Sequence, residues 1–353
     1  MDPHHRAADP HRRRPTDRDD LNDPTAREPL VGLDAIRAAA RILEGVALRT
    51  PLLPIGPPER RWFLKAESLQ PIGAFKIRGA YVALASLSAL QRARGVITYS
   101  SGNHAQGVAR AARLLGAPAV VVMPSDAPAI KRERVAADGA EVVIVGTASA
   151  ERQAVAERLA AERGLTIIPP YDDDRIIAGQ GTCGLEIVED LPDVAAVLVP
   201  IGGGGLASGV AAAVRGLRPN ARVIGVEPEL AADAQASLRA GRIVSWPADQ
   251  ASRTIADGTR TQSIGRRNFA HLAALLDRVV TVSEAHIAAA VRIAAEDARL
   301  VVEPSGALSL AALWFGAREA GLVDLEGPVV AVISGGNVDP ERYRELLASP
   351  RFD

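Results

Sequence analysis

Lys76 sits in Gly73-Ala74-Phe75-Lys76-Ile77-Arg78-Gly79-Ala80, a small and apolar run with glycines close on either side. Taking a lysine out of water disfavours its charged form, so its pKa falls and its amine becomes a nucleophile. That makes Lys76 a candidate to form a Schiff base with a carbonyl group. The octapeptide alone suits a surface lysine on a half-buried helix at least as well. The rest of the chain must decide.

Three further stretches place polar or glycine residues where an apolar run gives way to a helical pattern. Ser100-Ser101-Gly102-Asn103-His104 follows the run 95–99. A helix opening there would aim free N–H groups and its dipole at an anion, with two hydroxyls and an amide beside them. An ordinary N-cap is the plainer alternative, but five polar or glycine residues exceed what capping needs. Gly202-Gly203-Gly204-Gly205-Leu206 follows the run 195–201. Its backbone can wrap closely around a phosphate. A mere turn would not call for four glycines, given their entropic cost. Ser334-Gly335-Gly336-Asn337 follows the run 329–333 and offers a neutral hydroxyl, or simply a turn.

The glycine stretch also admits a different chemistry. Gly202, Gly204 and Ala207 meet a relaxed dinucleotide fingerprint, and Glu227 ends the next apolar run, where a ribose-binding acid would stand. A nicotinamide dehydrogenase is therefore the competing reading. It leaves Lys76, Asn103 and the last loop without a task.

The elements that position these residues alternate. Apolar runs at 62–67, 95–99, 119–123, 141–145, 166–168, 195–201, 222–227 and 329–334 read as strands. Helical patterns read at 33–42, 75–87, 104–115, 128–138, 149–163, from Gly179 through Val188, 206–217, 284–299, 307–320 and 340–347. The strands are continuous apolar runs, so they are expected to be buried on both faces. Repeated βα units predict parallel sheets flanked by helices, with ligands outside the carboxyl ends of the strands.

Composition narrows the classes. The 353 residues are enough for about two domains. A formal charge of -1 gives no electrostatic reason to expect nucleic acid or an anionic membrane as a partner. Cys183 is the single cysteine, which excludes an intramolecular disulfide, fits a reducing cytoplasmic setting and reads as a small buried residue. No apolar run reaches the roughly 20 residues that a bilayer requires. Residues 1–28 are polar and read as a disordered tail, with His4, His5 and His11 solvated within it. Six aspartates there argue against a mitochondrial leader, and the lack of an apolar segment argues against a secretion signal.

Taken together, the four stretches resemble those of the fold type II pyridoxal-phosphate enzymes, specifically the threonine/serine dehydratase and serine racemase family. Ala178-Gly179-Gln180-Gly181-Thr182, Thr254-Ile255-Ala256-Asp257-Gly258 and Val302-Glu303-Pro304-Ser305-Gly306-Ala307 extend the resemblance, which runs from about Leu30 to the C-terminus. It implies an α/β fold like the tryptophan synthase β subunit, with two open parallel-sheet domains and the cofactor between them. The expected boundaries are 29–85 with 173–353 for the larger, cofactor-binding domain and 86–172 for the smaller one that closes on substrate. It further implies that Lys76 holds pyridoxal 5'-phosphate and acts as base, with Ser101 on the opposite ring face as a second catalytic residue. Gly202, Gly203, Gly204, Gly205 and Leu206 would bind the phosphate, Phe75 would cover the ring, Asn103 would bond its phenolic oxygen, and Ser334 would face its nitrogen. Ser100, Ser101, Asn103, His104 and Arg152 would receive the amino-acid substrate.

By the same resemblance, Glu227, the Ala231 carbonyl and Asp233 are a candidate site for Mg²⁺, Mn²⁺ or Ca²⁺; their spacing alone suits a solvated acidic turn. The implied reaction is elimination of water and ammonia from L-threonine, L-serine or a related β-hydroxy amino acid. Racemisation of serine, or a dehydratase for 3-hydroxyaspartate, are the alternatives. A cytoplasmic homodimer is expected. Tyr171-Asp172-Asp173 looks more like the dehydratases than the racemases. The chain departs from the family at Ala74, where serine is usual, and ends with no room for a C-terminal regulatory domain.

Overall fold

Alanine- and valine-rich runs of four to seven residues become strands because β-branched side chains suit a pleated surface buried from both sides. The computed structural model describes residues 28–350, except 101, 126, 128, 147 and 148. Its strands are β1 (Leu52–Ile55), β2 (Trp62–Ala66), β3 (Val96–Tyr99), β4 (Ala119–Pro124), β5 (Glu141–Val145), β6 (Thr166–Ile167), β7 (Ala196–Pro200), β8 (Arg222–Pro228), β9 (Arg278–Val282) and β10 (Val329–Ile333). The helices are α1 (Leu33–Ile42), α2 (Lys76–Ala85), α3 (Ala89–Arg94), α4 (Asn103–Leu115), α5 (Ala129–Ala137), α6 (Ser149–Arg163), α7 (Asp174–Asp190), α8 (Gly205–Leu217), α9 (Asp233–Ala240), α10 (Ala248–Ala251), α11 (Arg266–Leu275), α12 (Glu284–Ala298), α13 (Pro304–Phe315) and α14 (Pro340–Leu347). The expected tail lies outside the described residues, apart from Glu28.

Six strands form one sheet in the order β1-β2-β10-β7-β8-β9, and four form another in the order β5-β4-β3-β6. Every pairing is parallel except β1 with β2. In the larger sheet Leu198, Ile224, Ala331 and Ile333 pack toward α12 and α13. Their neighbours Val197, Val199, Val223, Val330 and Val332 pack toward α7 and α8. Each such side chain taken from water contributes about 1.5–3 kcal/mol.

The expectation of strands buried on both faces holds at the centre and fails at β5, which leaves Glu141 and Ile144 exposed as the edge of the smaller sheet. Sequence reading also passes over β1 and β9, the two edges of the larger sheet. Pro54 within β1 breaks the strand signal, and proline is tolerated only at such an edge. α13 starts at Pro304, whose missing N–H suits a first helical position.

α7 begins at Asp174, well before the Gly179 start that the sequence suggests. Its glycines are contact points, not breaks. A Cβ on Gly179 would lie 2.6 Å from the Gly79 Cα of α2, and one on Gly184 would lie 2.9 Å from the Val210 Cα of α8. α2 and α8 thus touch α7 nearly backbone to backbone.

A buried ionic cluster braces the same region. Arg78 donates to Glu67 Oε2 and Oε1 at 2.7 and 2.8 Å, to Glu186 Oε1 at 2.6 Å and to Thr182 Oγ1 at 3.0 Å. Lys65 Nζ donates to Glu186 Oε2 at 2.6 Å and to the Thr50 carbonyl at 2.7 Å. Two cations meet two carboxylates, so no charge in the cluster is left alone.

Candidate active site

α2 opens two residues after Ala74, whose backbone bridges to Gly335. The Phe75 N–H donates to the Ser334 carbonyl at 3.0 Å, and the Gly336 N–H to the Gly73 carbonyl at 2.8 Å. The lysine motif is thereby laid along the end of β10, with Lys76 as the first residue of α2. Its Nζ donates to the Pro170 carbonyl at 2.8 Å and lies 5.1 Å from the Phe75 ring centre. Loss of water around it draws its pKa from 10.5 down to about 8. Lys76 remains half-buried, so the amine is dehydrated yet reachable. Ala74 is fully buried.

The segment that receives Lys76 also touches the glycine loop. A Cβ on Gly203 would overlap Tyr171 Cδ1, and one on Gly204 would lie 2.8 Å from Asn268 Cβ. Gly204 takes φ +97°, which glycine adopts without strain, and α8 starts at Gly205 without a side-chain cap. The first intrahelical donor after it is the Ser208 N–H, to the Gly204 carbonyl at 2.9 Å. The earlier N–H groups are therefore the orphans of a helix start, with the positive dipole end behind them. Such a helix start can cradle a phosphate.

α4 starts in the same manner. Gly102 precedes it without a side-chain cap, and its N–H donates to Ser100 Oγ at 3.3 Å. Asn103 Nδ2 donates to Glu303 Oε1 at 2.5 Å, while Asn103 Oδ1 accepts from Asn337 Nδ2 at 2.8 Å. His104 is the second residue of α4. Its side chain is buried, Nε2 faces the Ile168 carbonyl at 3.2 Å, and burial followed by the charge of Lys76 draws its pKa to about 3. The imidazole is neutral, with Nδ1 buried and without a hydrogen-bond partner among the described residues. Ser101 lies outside the described residues. Arg152 is carried half-buried on α6.

Ser334 is buried at the end of β10, and its Oγ reaches the Ser305 carbonyl only at 3.4 Å, a long contact that leaves the hydroxyl weakly engaged. Glu303, to which the sequence assigns no role, is buried beside it. Burial and then the nearby Asp257 push its carboxyl up to about 8. Pro170, Tyr171 and Asn337 are likewise sited by contacts that sequence does not reveal. The one local hint at Glu303 is an acid within an apolar run, directly before a helix-starting proline.

At the end of β8, Glu227 accepts from the Ala234 and Gln235 N–H groups at 2.9 and 2.8 Å. Each oxygen thus takes one N–H from the start of α9 and keeps a lone pair free, an engagement that the dinucleotide reading does not foresee. Asp233 is buried with neither carboxylate oxygen hydrogen-bonded. Burial raises its pKa to about 7 despite nearby backbone N–H groups of Asp233 and Ile264. Two adjacent buried carboxylates, one with free oxygens, fit a hard cation held partly by backbone and water. Among the described residues no three His, Cys, Asp or Glu side chains gather into a ligand cluster.

The other singled-out residues are structural. Cys183 is fully buried, His271 Nε2 accepts from the Val31 N–H at 2.9 Å, and His286 stacks on Phe315 at 4.7 Å. His4, His5 and His11 lie outside the described residues. No described helix is long and apolar enough to cross a membrane.

The dehydrated lysine, the uncapped glycine cradle and the loosely held serine hydroxyl fit an aldehyde-bearing aromatic phosphate. Comparison with known proteins agrees. The chain is 42% identical over 320 residues to the L-threo-3-hydroxyaspartate ammonia-lyase of Saccharomyces cerevisiae, covering 89% of this chain and 95% of that one. It is 46% identical over 295 residues to the L-threonine ammonia-lyase of Geobacter sulfurreducens, covering 82% and 72%. The structure of maize serine racemase superposes with a TM-score of 0.85 at 36% identity, covering 90% of this chain and 97% of that one. Residues 43–335 match the model of the pyridoxal-phosphate dependent enzymes, and the chain belongs to that family, with its fold type II architecture.

Proposed function

We propose that this protein is an ammonia-lyase that converts L-threonine, L-serine or a related β-hydroxy amino acid, 3-hydroxyaspartate included, to a 2-oxo acid and ammonia. The observation that carries this reading is Lys76, dehydrated and reachable between the Pro170 carbonyl and the Ser334 loop.

Bound pyridoxal phosphate supplies the sink for the electron pair left at the substrate Cα. Lys76 would hold it, and its amine, when free, would take the substrate Cα proton as general base. The N–H groups of Gly202 to Leu206 hold the phosphate, and Phe75 covers the ring. Asn103 donates to the ring's phenolic oxygen. Ser334 offers the ring nitrogen a hydroxyl, which does not keep a proton there as a carboxylate would. Loss of the β-hydroxyl then competes well with other fates. Ser100, Ser101, Asn103 and His104 receive the substrate carboxylate, and Arg152 lines the site. By the resemblance, Ser101 would return a proton on the side away from Lys76, which would give racemisation.

In this reading Glu227, the Ala231 carbonyl and Asp233 hold Mg²⁺, Mn²⁺ or Ca²⁺; the free oxygens of Asp233 support it. Segments 29–85 and 173–353 form the cofactor-binding body and 86–172 closes on substrate, in a cytoplasmic homodimer. The test is to incubate the cofactor-loaded protein with a panel of β-hydroxy amino acids, with and without chelator, assaying 2-oxo acid and D-amino acid. Formation of 2-oxo acid supports the lyase. D-Serine as the main product replaces it with a racemase, and no product from any substrate overturns both. Unchanged activity and melting temperature under chelator would count against the metal.

A further inference from the structure

Asn103 carries an amide whose two ends look alike in shape and differ wholly in chemistry. Which end faces the cofactor is decided by a chain of hydrogen bonds that starts outside the site. Arg134 Nη1, on α5, donates to Asn337 Oδ1 at 2.7 Å. Asn337 Nδ2 then donates to the Ile72 carbonyl at 2.8 Å and to Asn103 Oδ1 at 2.8 Å. A guanidinium has no acceptor and a backbone carbonyl has no donor, so the Asn337 amide has one possible orientation. Asn103 Oδ1 is thereby occupied, and its Nδ2 turns to Glu303 Oε1. One of the two Nδ2 hydrogens is spent on Glu303 and one is left.

The backbone is shaped to admit this chain. A Cβ on Gly73 would lie 2.5 Å from Asn337 Oδ1. One on Gly335 would lie 3.1 Å from Asn103 Nδ2 and would overlap Glu303 Oε1. The two glycines that frame the lysine motif and the serine loop are therefore small because these amides and this carboxylate pass between them.

We propose that Arg134 and Asn337 are positioning residues that fix the Asn103 amide so that a single N–H faces the phenolic oxygen of the cofactor. The proposal rests on the reading that Asn103 meets that oxygen. A donor at that oxygen tunes the protonation of the Lys76–cofactor linkage, so the effect is visible in the cofactor's own absorption.

The experiment follows the visible band of the loaded protein against pH, together with cofactor affinity and melting temperature. Asn337→Asp cannot donate to Asn103 Oδ1; it should move the pH midpoint of the band and weaken cofactor binding about tenfold, the worth of one charge-assisted hydrogen bond. Arg134→Ala, at an exposed position, should do the same more weakly, and Arg134→Lys should restore the original midpoint. In an Asn103→Ala background, Arg134→Ala should change nothing further. A wild-type midpoint in Asn337→Asp, or an Arg134→Ala effect of equal size without Asn103, overturns the relay. An unchanged midpoint in Asn103→Ala itself overturns both the relay and the reading beneath it.

Discussion

Two lysines stand on consecutive elements of this fold and do opposite work. Lys65 on β2 is the more deeply buried, yet its amine is clasped by Glu186 and the Thr50 carbonyl in a cluster whose charges balance. Lys76 at the start of α2 is only half-buried and meets a carbonyl and an aromatic face, with loss of water as the sole cause of its lowered pKa. Burial alone does not make a lysine nucleophilic. Burial without a counter-ion does, because only then is the neutral amine the cheaper species to bury.

The largest test of that contrast is to remove each lysine in turn. Lys76→Ala should abolish the visible band of the loaded protein and lower activity by about 10²–10⁴-fold, with the fold intact by circular dichroism. Lys65→Met should instead leave the band in place and lower unfolding stability in urea by about 3–5 kcal/mol, since Glu67 and Glu186 are then left to share the single cation of Arg78. A folded Lys65→Met protein that cannot bind the cofactor would break the comparison.

Titration sharpens it next. Between about 8 and 10.5 the unfolded chain holds a proton that folded Lys76 has lost, so apoprotein stability should rise with pH across that window. The rate at which apoprotein takes up pyridoxal phosphate should likewise climb with pH and level off just above 8; an inflection near 10.5 would mean an ordinary solvated amine.

The smallest expected effect is a null one. Cys183 is fully buried, and burial pushes its thiol up, so the dehydration that activates an amine silences a thiol. A maleimide reagent should not label the folded protein and should label it once unfolded.

How much of this was legible beforehand follows from range. Lys76, the four glycines and Ser334 each announce themselves by local composition at a strand end, and the parallel sheets follow from the alternation of runs. What escaped reading depends on distant partners. Glu303 and Asn103 are 200 residues apart in the chain, and Asn337 and Asn103 are 234 apart. Tyr171 was visible as a motif but not as the ring lying on Gly203. His104 was legible as a helix start, yet nothing local says that its ring turns inward to Ile168. The glycines of α7 misled in the other direction, since glycine signals a helix break unless a neighbouring backbone comes close enough to need it.

That seam of glycines has a consequence for how such an enzyme can diversify. Gly179 and Gly184 bolt the helix bearing Lys76 and the helix behind the phosphate cradle to one shared beam, at spacings with no slack for even a methyl group. The distance from anchor to cradle is therefore a fixed gauge, set by backbone and not by any side chain open to gradual exchange. Variation in substrate is then left to side chains outside this seam. One chassis can then carry a hydroxyaspartate lyase, a threonine lyase or a serine racemase without being rebuilt.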